Sequence, residues 1–214
     1  MSLAWNRQPK VESTFRVCTE ALEPLSQADA DFFLRQYELS GLWSRAFIRA
    51  APTSDRYALP IYAPDGSERG MVLRQPWLGA PRAGQGGRPK ADTYKSKAGP
   101  LQSHYKALRG SDYLVVVEDQ LSAIKLAAYG YDSVALLGVP DVYPSGYSGV
   151  DRVTEIARRA AGREVIVALD SDATETALLF AKKWGAMFVR LRVALLSADL
   201  KDTMADDFSE VLGV

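Results

Sequence analysis

After residue 111 the chain alternates between short apolar runs and helix-like patterns, and this alternation restricts the possible folds more than any other feature. Four of the runs are almost wholly apolar and are bounded by turn or charged residues. Buried parallel strands have this composition, because both faces of a parallel sheet are covered. The four predicted strands are residues 113–117, 133–137, 164–169 and 187–191.

The segments between these runs have helical spacing. Residues 121–129, 150–161 and 174–184 read as helices, and in the second of them Val153 and Ile156 lie on one apolar stripe. Strand, helix and strand in repeated order are typical of right-handed crossovers. This part of the chain is therefore predicted to be α/β, with a parallel sheet flanked by helices.

The first half of the chain has a different texture. Up to about residue 50 aromatic and apolar residues recur at helical spacing, and Ser26 is a favourable helix cap. Residues 57–62 and 70–74 then flank the turn sequence Ala-Pro-Asp-Gly, which predicts a β-hairpin. Pro60 indicates an edge position for its strand.

The size and composition allow two small domains. The chain has 214 residues, of which 47% are hydrophobic, so it can bury a core without disulfides. The change of texture favours an N-terminal α+β subdomain over residues 1–110 and an α/β domain over residues 111–214. A single cysteine, Cys18, and a single histidine, His104, exclude a disulfide framework and a zinc finger or ribbon.

The formal net charge is zero, but the two signs are segregated along the chain. Between residues 69 and 109 there are nine basic residues and one acid, and five of the basic residues lie in a glycine- and proline-rich stretch, residues 79–100. This stretch is predicted to be a mobile basic loop. Between residues 199 and 210 five acids accompany Lys201. An enzyme that handles a phosphate polymer with metal ions requires both kinds of segment.

Carboxylates directly follow two of the predicted strands. Glu118 ends the first apolar run, and Asp170 and Asp172 end the third. Ligands of open parallel sheets bind beyond the carboxyl ends of the strands, so we expect these side chains to meet, with residues 170 and 172 on the same side of an extended chain. An all-oxygen cluster fits Mg²⁺ or Mn²⁺. The alternative is that Asp172 caps the following helix.

This arrangement resembles the Toprim fold of bacterial and phage primases, type IA and type II topoisomerases and some nucleases. The family pattern has a glutamate after the first strand, often in Glu-Gly-x-x-Asp, and Asp-x-Asp after a later strand. Glu118 matches the first part, and Asp170 with Asp172 matches the second. The resemblance covers roughly residues 111–212 and implies that these three acids are catalytic and hold Mg²⁺ or Mn²⁺.

Two further features refine the resemblance. The chain has Asp119 and Ser122 where the common pattern has glycine and aspartate, which looks like a phage variant. Lys201 and Asp202 resemble the Lys-Asp motif that primases place downstream, where the aspartate assists the metal site and the lysine meets phosphate. On the residues alone, the start of a solvated acidic helix is an equal alternative.

The first half of the chain resembles the N-terminal catalytic subdomain of primases. It has a hairpin that ends in Arg74, followed by a basic loop with Lys90, Lys95 and Lys97. By this resemblance these residues bind the template strand or nucleoside triphosphates. The predicted fold class is thus a Toprim-like parallel sheet with an N-terminal α+β subdomain of the primase type.

The function implied by the resemblance is that of a DNA primase, which makes short RNA primers on single-stranded DNA. Its partners are then a single-stranded DNA template, ribonucleoside triphosphates and a separate replicative helicase, because the chain has no Gly-x-x-x-x-Gly-Lys-Ser/Thr motif. No apolar run has the length of a membrane span or signal peptide, so we expect a cytoplasmic protein, in the host cytoplasm if phage-encoded.

Two alternatives stay open at this point. A stand-alone Toprim nuclease would use the same acids and metal ions, with water as the attacking group. A non-catalytic Toprim-like module would bind DNA without chemistry. A topoisomerase is disfavoured, because its nucleophilic tyrosine sits on a large separate domain for which the chain has no room.

Overall fold

A computed structural model of the chain describes residues 18–75, 91–95, 100–137 and 148–214. These residues form two five-stranded sheets, the first antiparallel and the second mostly parallel. In the part of the chain so described, no helix is long and apolar enough to cross a lipid bilayer.

Two helices lie near the start of the described chain, as predicted. Helix α1 (Gln27–Tyr37) begins after Ser26, whose hydroxyl oxygen accepts a backbone hydrogen bond and so caps the helix. Helix α2 (Gly41–Phe47) follows it. Two short strands that the helical spacing does not predict flank this pair, β1 (Glu23–Pro24) and β2 (Arg49–Ala51).

The first sheet has the strand order β1-β2-β3-β4-β5. Strands β3 (Arg56–Tyr62) and β4 (Glu68–Arg74) form the predicted hairpin. Because β3 is a central strand, the edge position predicted from Pro60 is wrong for the strand as a whole. Pro60 is tolerated because β2 reaches only as far as Ala58, so the proline, which has no N–H, pairs with Met71 of β4 alone.

The fifth strand corrects the prediction of a loop over residues 79–100. Strand β5 (Ala91–Lys95) pairs along its whole length with β4, from Gly70 opposite Lys95 to Arg74 opposite Ala91. The strand forms because Thr93 and Tyr94 favour extended structure and β4 offers its unpaired edge. Residues 79–90 and 96–99 of the predicted loop lie outside the described residues.

The second sheet has the strand order β10-β9-β7-β8-β6 and confirms the predicted parallel α/β organisation. Strand β6 (Ser103–Tyr105) precedes the predicted domain boundary and pairs antiparallel with β8. Strand β10 begins later than predicted, because Gly185–Met187 form a 3₁₀ turn. The four parallel strands are β7 (Tyr113–Val117), β8 (Asp132–Ala135), β9 (Glu164–Val167) and β10 (Arg190–Val193).

Helices cover both faces of the second sheet, which is why its central strands β7 and β9 are almost wholly apolar. In β7, Val115 and Val117 belong to the core that contains α3, whereas Leu114 and Val116 belong to the core that contains α4 and α5. Each of these side chains is at most 1% exposed, and burial of a side chain of this size contributes about 1.5–3 kcal/mol. The helices are α3 (Gln120–Ala128), α4 (Ser148–Ala160), α5 (Thr174–Trp184) and α6 (Phe208–Leu212).

The two sheets are in contact through the start of α3. The Gln120 side chain is buried, and its Nε2 donates to the carbonyl oxygens of Leu59 at 3.2 Å and Pro60 at 2.9 Å. Leu59 and Val115, one from each sheet, belong to the same apolar core. The first sheet is therefore held against the edge of the second at which the carboxylates of the predicted site lie.

Candidate active site

An open cleft of about 300 Å³ lies between the two sheets, at the carboxyl ends of β7 and β9. Strands β4 and β5 supply one wall, and residues that follow β7, β8 and β9 supply the other. Three predicted site residues, Arg74, Glu118 and Asp170, therefore share one cleft although they are distant in sequence. The lining residues are Val72, Arg74, Ala91, Thr93, Glu118, Asp119, Gln120, Leu137 and Asp170.

Asp170 is half-buried and follows Ala168 and Leu169, which continue the apolar run of β9. Burial raises the pKa of this carboxyl to about 7, and the negative charges of Asp119, Asp199 and Glu118 add to the effect while Lys201 opposes it. Other carboxylates thus surround Asp170 closely enough to disfavour its charged form.

Glu118 has a similar environment. Burial raises its pKa, and the charges of Asp172, Asp119 and Asp199 raise it further, against the effect of Lys201. The Asp172 carboxylate is therefore near enough to Glu118 to raise the pKa of that residue. The whole group carries negative charge that a bound cation would stabilise.

Asp172 lies differently from the prediction. The chain leaves the extended conformation after Asp170, and Ser171–Ala173 form a 3₁₀ turn, so the alternation of an extended strand does not apply to residue 172. Asp172 is exposed and is not among the residues that line the cleft. It does not cap α5 either, because the N-cap of that helix is Ala173, without a side-chain bond.

Lys201 is buried at 5% exposure in the loop before α6. Its ammonium group is in close contact with Asp199 and lies 3.8 Å from both Asp119 and Asp202. The predicted site residue Asp202 is exposed. Of the predicted Lys-Asp pair, the lysine is therefore the member that the structure ties to the other acids.

The sequence interpretation does not identify Asp199 as a site residue. Its Oδ1 accepts hydrogen bonds from the backbone N and the Oγ of Ser171, at 3.1 and 3.3 Å, so it holds the turn between Asp170 and Asp172. Burial favours a raised pKa for Asp199, but the bonds from Lys201 and Ser171 outweigh it and lower the pKa. The only signal in the sequence is the repetition of acids around Lys201.

Asp119, where the family pattern has glycine, is the N-cap of α3. Its Oδ1 accepts hydrogen bonds from the backbone N atoms of Leu121 at 2.8 Å and Ser122 at 3.3 Å, and the Ser122 hydroxyl donates to Oδ2 at 2.7 Å. The Arg74 guanidinium lies 3.5 Å from the same carboxylate. Asp119 and Ser122, the two residues that differ from the Toprim pattern, therefore both take part in the N-terminal cap of α3. The Asp119 carboxylate also anchors Arg74 in the cleft.

A buried lysine holds the loop that carries Lys201. The Nζ of Lys125 donates to the backbone oxygens of Thr203 at 2.6 Å and Lys201 at 3.3 Å, and it pairs with Glu38 at 3.0 Å. Glu38 is the C-cap of α1. The N-terminal helices therefore help to position this side of the site.

The predicted basic residues are placed only in part. Arg74 lines the cleft, and Lys95 belongs to the backbone of β5, across the sheet from Gly70. The side chain of Lys95, and all of Lys90 and Lys97, lie outside the described residues.

The chemistry of the site suits a hard divalent cation. Its donors are carboxylate oxygens, and the raised pKa values of Glu118 and Asp170 reflect negative charge that a cation would offset. Within the described ranges, however, no three Asp, Glu, His or Cys side chains stand close enough together to hold an ion between them. The residue types therefore fit Mg²⁺, while a ready-made set of three ligands is not seen.

Comparison with known proteins gives structural matches only. No family model matches the chain, and no curated protein does. The catalytic domain of DnaG primase bound to single-stranded DNA superposes with a TM-score of 0.61 at 18% identity, over 86% of this chain and 70% of that one.

Two other primases are similar. The zinc-binding and RNA polymerase domains of Aquifex aeolicus primase match with a TM-score of 0.53 at 15% identity, over 90% of this chain and 50% of that one. The primase fragment of the bacteriophage T7 primase-helicase matches with a TM-score of 0.52 at 11% identity, over 97% of this chain and 81% of that one. The chain thus spans half the length of the Aquifex structure.

At these identities the likeness concerns the fold, and it confirms the predicted one: the chain has the mixed α/β fold of primase catalytic cores, with an antiparallel sheet before a Toprim-like parallel sheet.

Proposed function

We propose that the chain is a DNA primase, a nucleotidyltransferase that makes short RNA primers on single-stranded DNA. The observation that carries the proposal is the convergence of two half-buried carboxylates, Glu118 and Asp170, with the cations Arg74 and Lys201, in a fold of the primase type. A single-stranded template is supported by the similar DnaG catalytic domain, which was solved bound to single-stranded DNA.

The reaction is phosphodiester formation. The 3′-hydroxyl of one ribonucleotide attacks the α-phosphate of the next, and pyrophosphate leaves. Glu118 and Asp170, with Asp172 at the rim, would hold Mg²⁺ or Mn²⁺, which when bound activates the attacking oxygen and offsets the charge of the leaving group. The raised pKa of Asp170, about 7, means that a cation is needed to keep it fully ionised near neutral pH.

The cationic side chains orient the phosphates. Arg74 has 16% of its side chain exposed, and Asp119 holds its guanidinium at the cleft wall. Lys201 is fixed by Asp199 and lies among the acids, where it can meet a phosphate oxygen. Asp202 supports Lys201 from the outside of the loop, and Lys90, Lys95 and Lys97 would contact the template without reading its sequence.

The test is a primer-synthesis assay with single-stranded DNA, labelled ribonucleoside triphosphates and Mg²⁺ or Mn²⁺. Short oligoribonucleotides are expected from the wild-type chain. Asp170→Asn and Glu118→Gln should each lower their yield by about a hundredfold or more, because each removes a charged ligand without changing the shape of the side chain.

The matched control is Asp112→Asn. Asp112 is exposed before the first residue of β7, about 20 Å of extended chain away from Glu118, so the same loss of charge should leave the yield unchanged. Shortened DNA in place of new RNA would identify a nuclease and contradict the proposal. Full activity of Asp170→Asn would remove the site assignment.

A further inference from the structure

A second cleft, of about 390 Å³, lies at the other end of the β3–β4 hairpin. Tyr62 ends β3 here, whereas the active-site residue Arg74 pairs with Tyr57, about 17 Å of strand away. The cleft combines aromatic rings with cationic side chains. Its lining residues are Phe47, Tyr62, Ala63, Pro64, Asp65, Gly66, His104, Tyr105, Lys106 and Arg159.

Arg159 has hydrogen-bonding capacity to spare in this cleft. Its bonds to the carbonyl oxygens of Pro64 and Tyr105 are long, at 3.4 and 3.5 Å, and its buried Nε has no partner among the described residues. The Asp132 carboxylate lies 3.7 Å away and is closer to Arg163, at 2.8 Å. With 14% of its side chain exposed, Arg159 can donate to an anionic oxygen without breaking a short bond.

His104 supplies a second hydrogen-bonding position. It is 5% exposed, and its Nε2 lies 3.2 Å from Gln102 and 3.3 Å from Glu155. Its buried Nδ1 has no partner within the described part of the chain. Buried ring nitrogens in folded proteins are normally hydrogen-bonded, so the Nδ1 of His104 is an unsatisfied polar position in a residue that lines the cleft.

The aromatic side of the cleft is preorganised. Phe47, Tyr62 and Tyr105 pack edge to face with ring centroids 5.5–6.0 Å apart. Phe47 and Tyr62 are half-buried, so part of each ring is exposed. Rings of this kind bind nucleobases by stacking, and nearby cations bind the adjoining phosphate.

We propose that this second cleft binds a nucleotide unit, with the phosphate on Arg159 and Lys106 and the base against Phe47 and Tyr62. The unit is a free nucleotide or one residue of a single strand, because both present the same base and phosphate. Asp65 is the one acid among the described lining residues. It is exposed and accepts a hydrogen bond from the backbone N of Ser67, and two cationic side chains balance it.

The test measures binding without catalysis, so it does not depend on the proposed primase activity. Fluorescently labelled ATP and a short labelled oligothymidylate are titrated with the full chain in EDTA and followed by anisotropy. Lys106→Glu should weaken the binding of whichever probe the wild type binds, on the order of tenfold. It should also lower the slope of log binding constant against log salt concentration by about 1. A response with ATP identifies a free nucleotide, and a response with the oligonucleotide alone identifies a strand.

The matched control is Lys182→Glu, the same charge reversal at an exposed position of α5, which should bind as the wild type does. Photo-crosslinking with a 4-thiothymidine oligonucleotide or 8-azido-ATP, followed by mass spectrometry, locates the contact. Crosslinks at residues 62–66 or 104–106 support the proposal. Unchanged binding by Lys106→Glu, with crosslinks confined to the cleft of Glu118 and Asp170, would overturn it.

Discussion

Two half-buried carboxylates, Glu155 and Asp170, illustrate opposite uses of charge in one molecule. Glu155, on α4, accepts two bonds from Arg69, at 2.6 and 3.0 Å, and one from Gln102 at 2.7 Å. Burial favours a raised pKa for Glu155, but the bonds from His104, Arg69 and Gln102 outweigh it and lower the pKa to about 2. Asp170 has other acids around it, and burial raises its pKa to about 7.

The opposite pKa shifts of Glu155 and Asp170 distinguish a carboxylate that stabilises the fold from one that is suited to a functional site. The bonds that stabilise the charge of Glu155 also join α4 to β4 and to the segment before β6, so this acid holds parts of the two sheets together. The charge of Asp170 is destabilised by the protein that surrounds it, which is typical of acids that await a cation or a proton. Degree of burial alone would not distinguish the two.

The largest effect on stability is expected from the paired carboxylate. Glu155→Gln should lower the free energy of unfolding by about 2–3 kcal/mol, because it leaves Arg69 half-buried without its charged partner. Urea denaturation near neutral pH measures this loss. The stabilisation from Glu155 is complete above its unfolded pKa, near 4.5, and is lost as the pH falls toward about 2.

The matched control for this variant is Glu68→Gln. Glu68 pairs with Arg49 at 3.4 Å, and both side chains are more than a third exposed, Glu68 at 35% and Arg49 at 43%. A surface pair of this kind contributes about 1 kcal/mol or less. Equal losses in the two variants would refute the distinction between the Glu155 cluster and an ordinary surface pair.

An effect of opposite sign is expected from Asp170, whose charge the surrounding acids destabilise. Because the folded pKa of Asp170 lies above its unfolded value, the wild-type protein loses stability as the pH rises from about 4 to about 7. Asp170→Asn should therefore be more stable than the wild type at pH 8 in EDTA, by about 1–2 kcal/mol after allowance for solvent screening. Thermal unfolding at pH 5 and pH 8 measures the difference.

Magnesium sharpens the same comparison. At ten times its Kd, Mg²⁺ should stabilise the wild type by about 1.4 kcal/mol at pH 8, and it should have no such effect on Asp170→Asn. Asp112→Asn serves again as the control and should respond as the wild type does. An Asp170→Asn variant that is less stable than the wild type at pH 8 would show that its carboxylate is compensated, like that of Glu155.

The smallest effect is expected at Asp199. This carboxylate is paired with Lys201, as Glu155 is paired with Arg69, but it lies among the acids around Asp170. Asp199→Asn retains an oxygen for Ser171 but loses the charge that faces Lys201, so we expect a loss of about 0.5–1.5 kcal/mol. Asp202→Asn is the control, because Asp202 is exposed and lies 3.8 Å from the same ammonium. Denaturation curves that do not differ between the two variants would contradict the role given to Asp199.

The local part of the site could be predicted, and the rest could not. Glu118 and Asp170 follow uninterrupted apolar runs, so the strand period and the geometry of parallel sheets suffice to place them at one edge. The direction of Asp172 could not be predicted from strand alternation, because a 3₁₀ turn ends the extended conformation one residue earlier. Asp199 was missed because its partner Ser171 is 28 residues away. The boundary at residue 111 remains a prediction.

By itself the sequence determined the α/β alternation, the hairpin and the acids at strand ends, because each of these depends on neighbouring residues and on a short period. Only the tertiary structure decided that β5 adds to the edge of β4, that Lys201 is buried between Asp199 and Asp119, and that Glu155 is bonded to Arg69 while Asp170 lies among other acids. The physical reason is that the energy of a charge depends on which distant groups surround it after folding, and no local pattern records those groups.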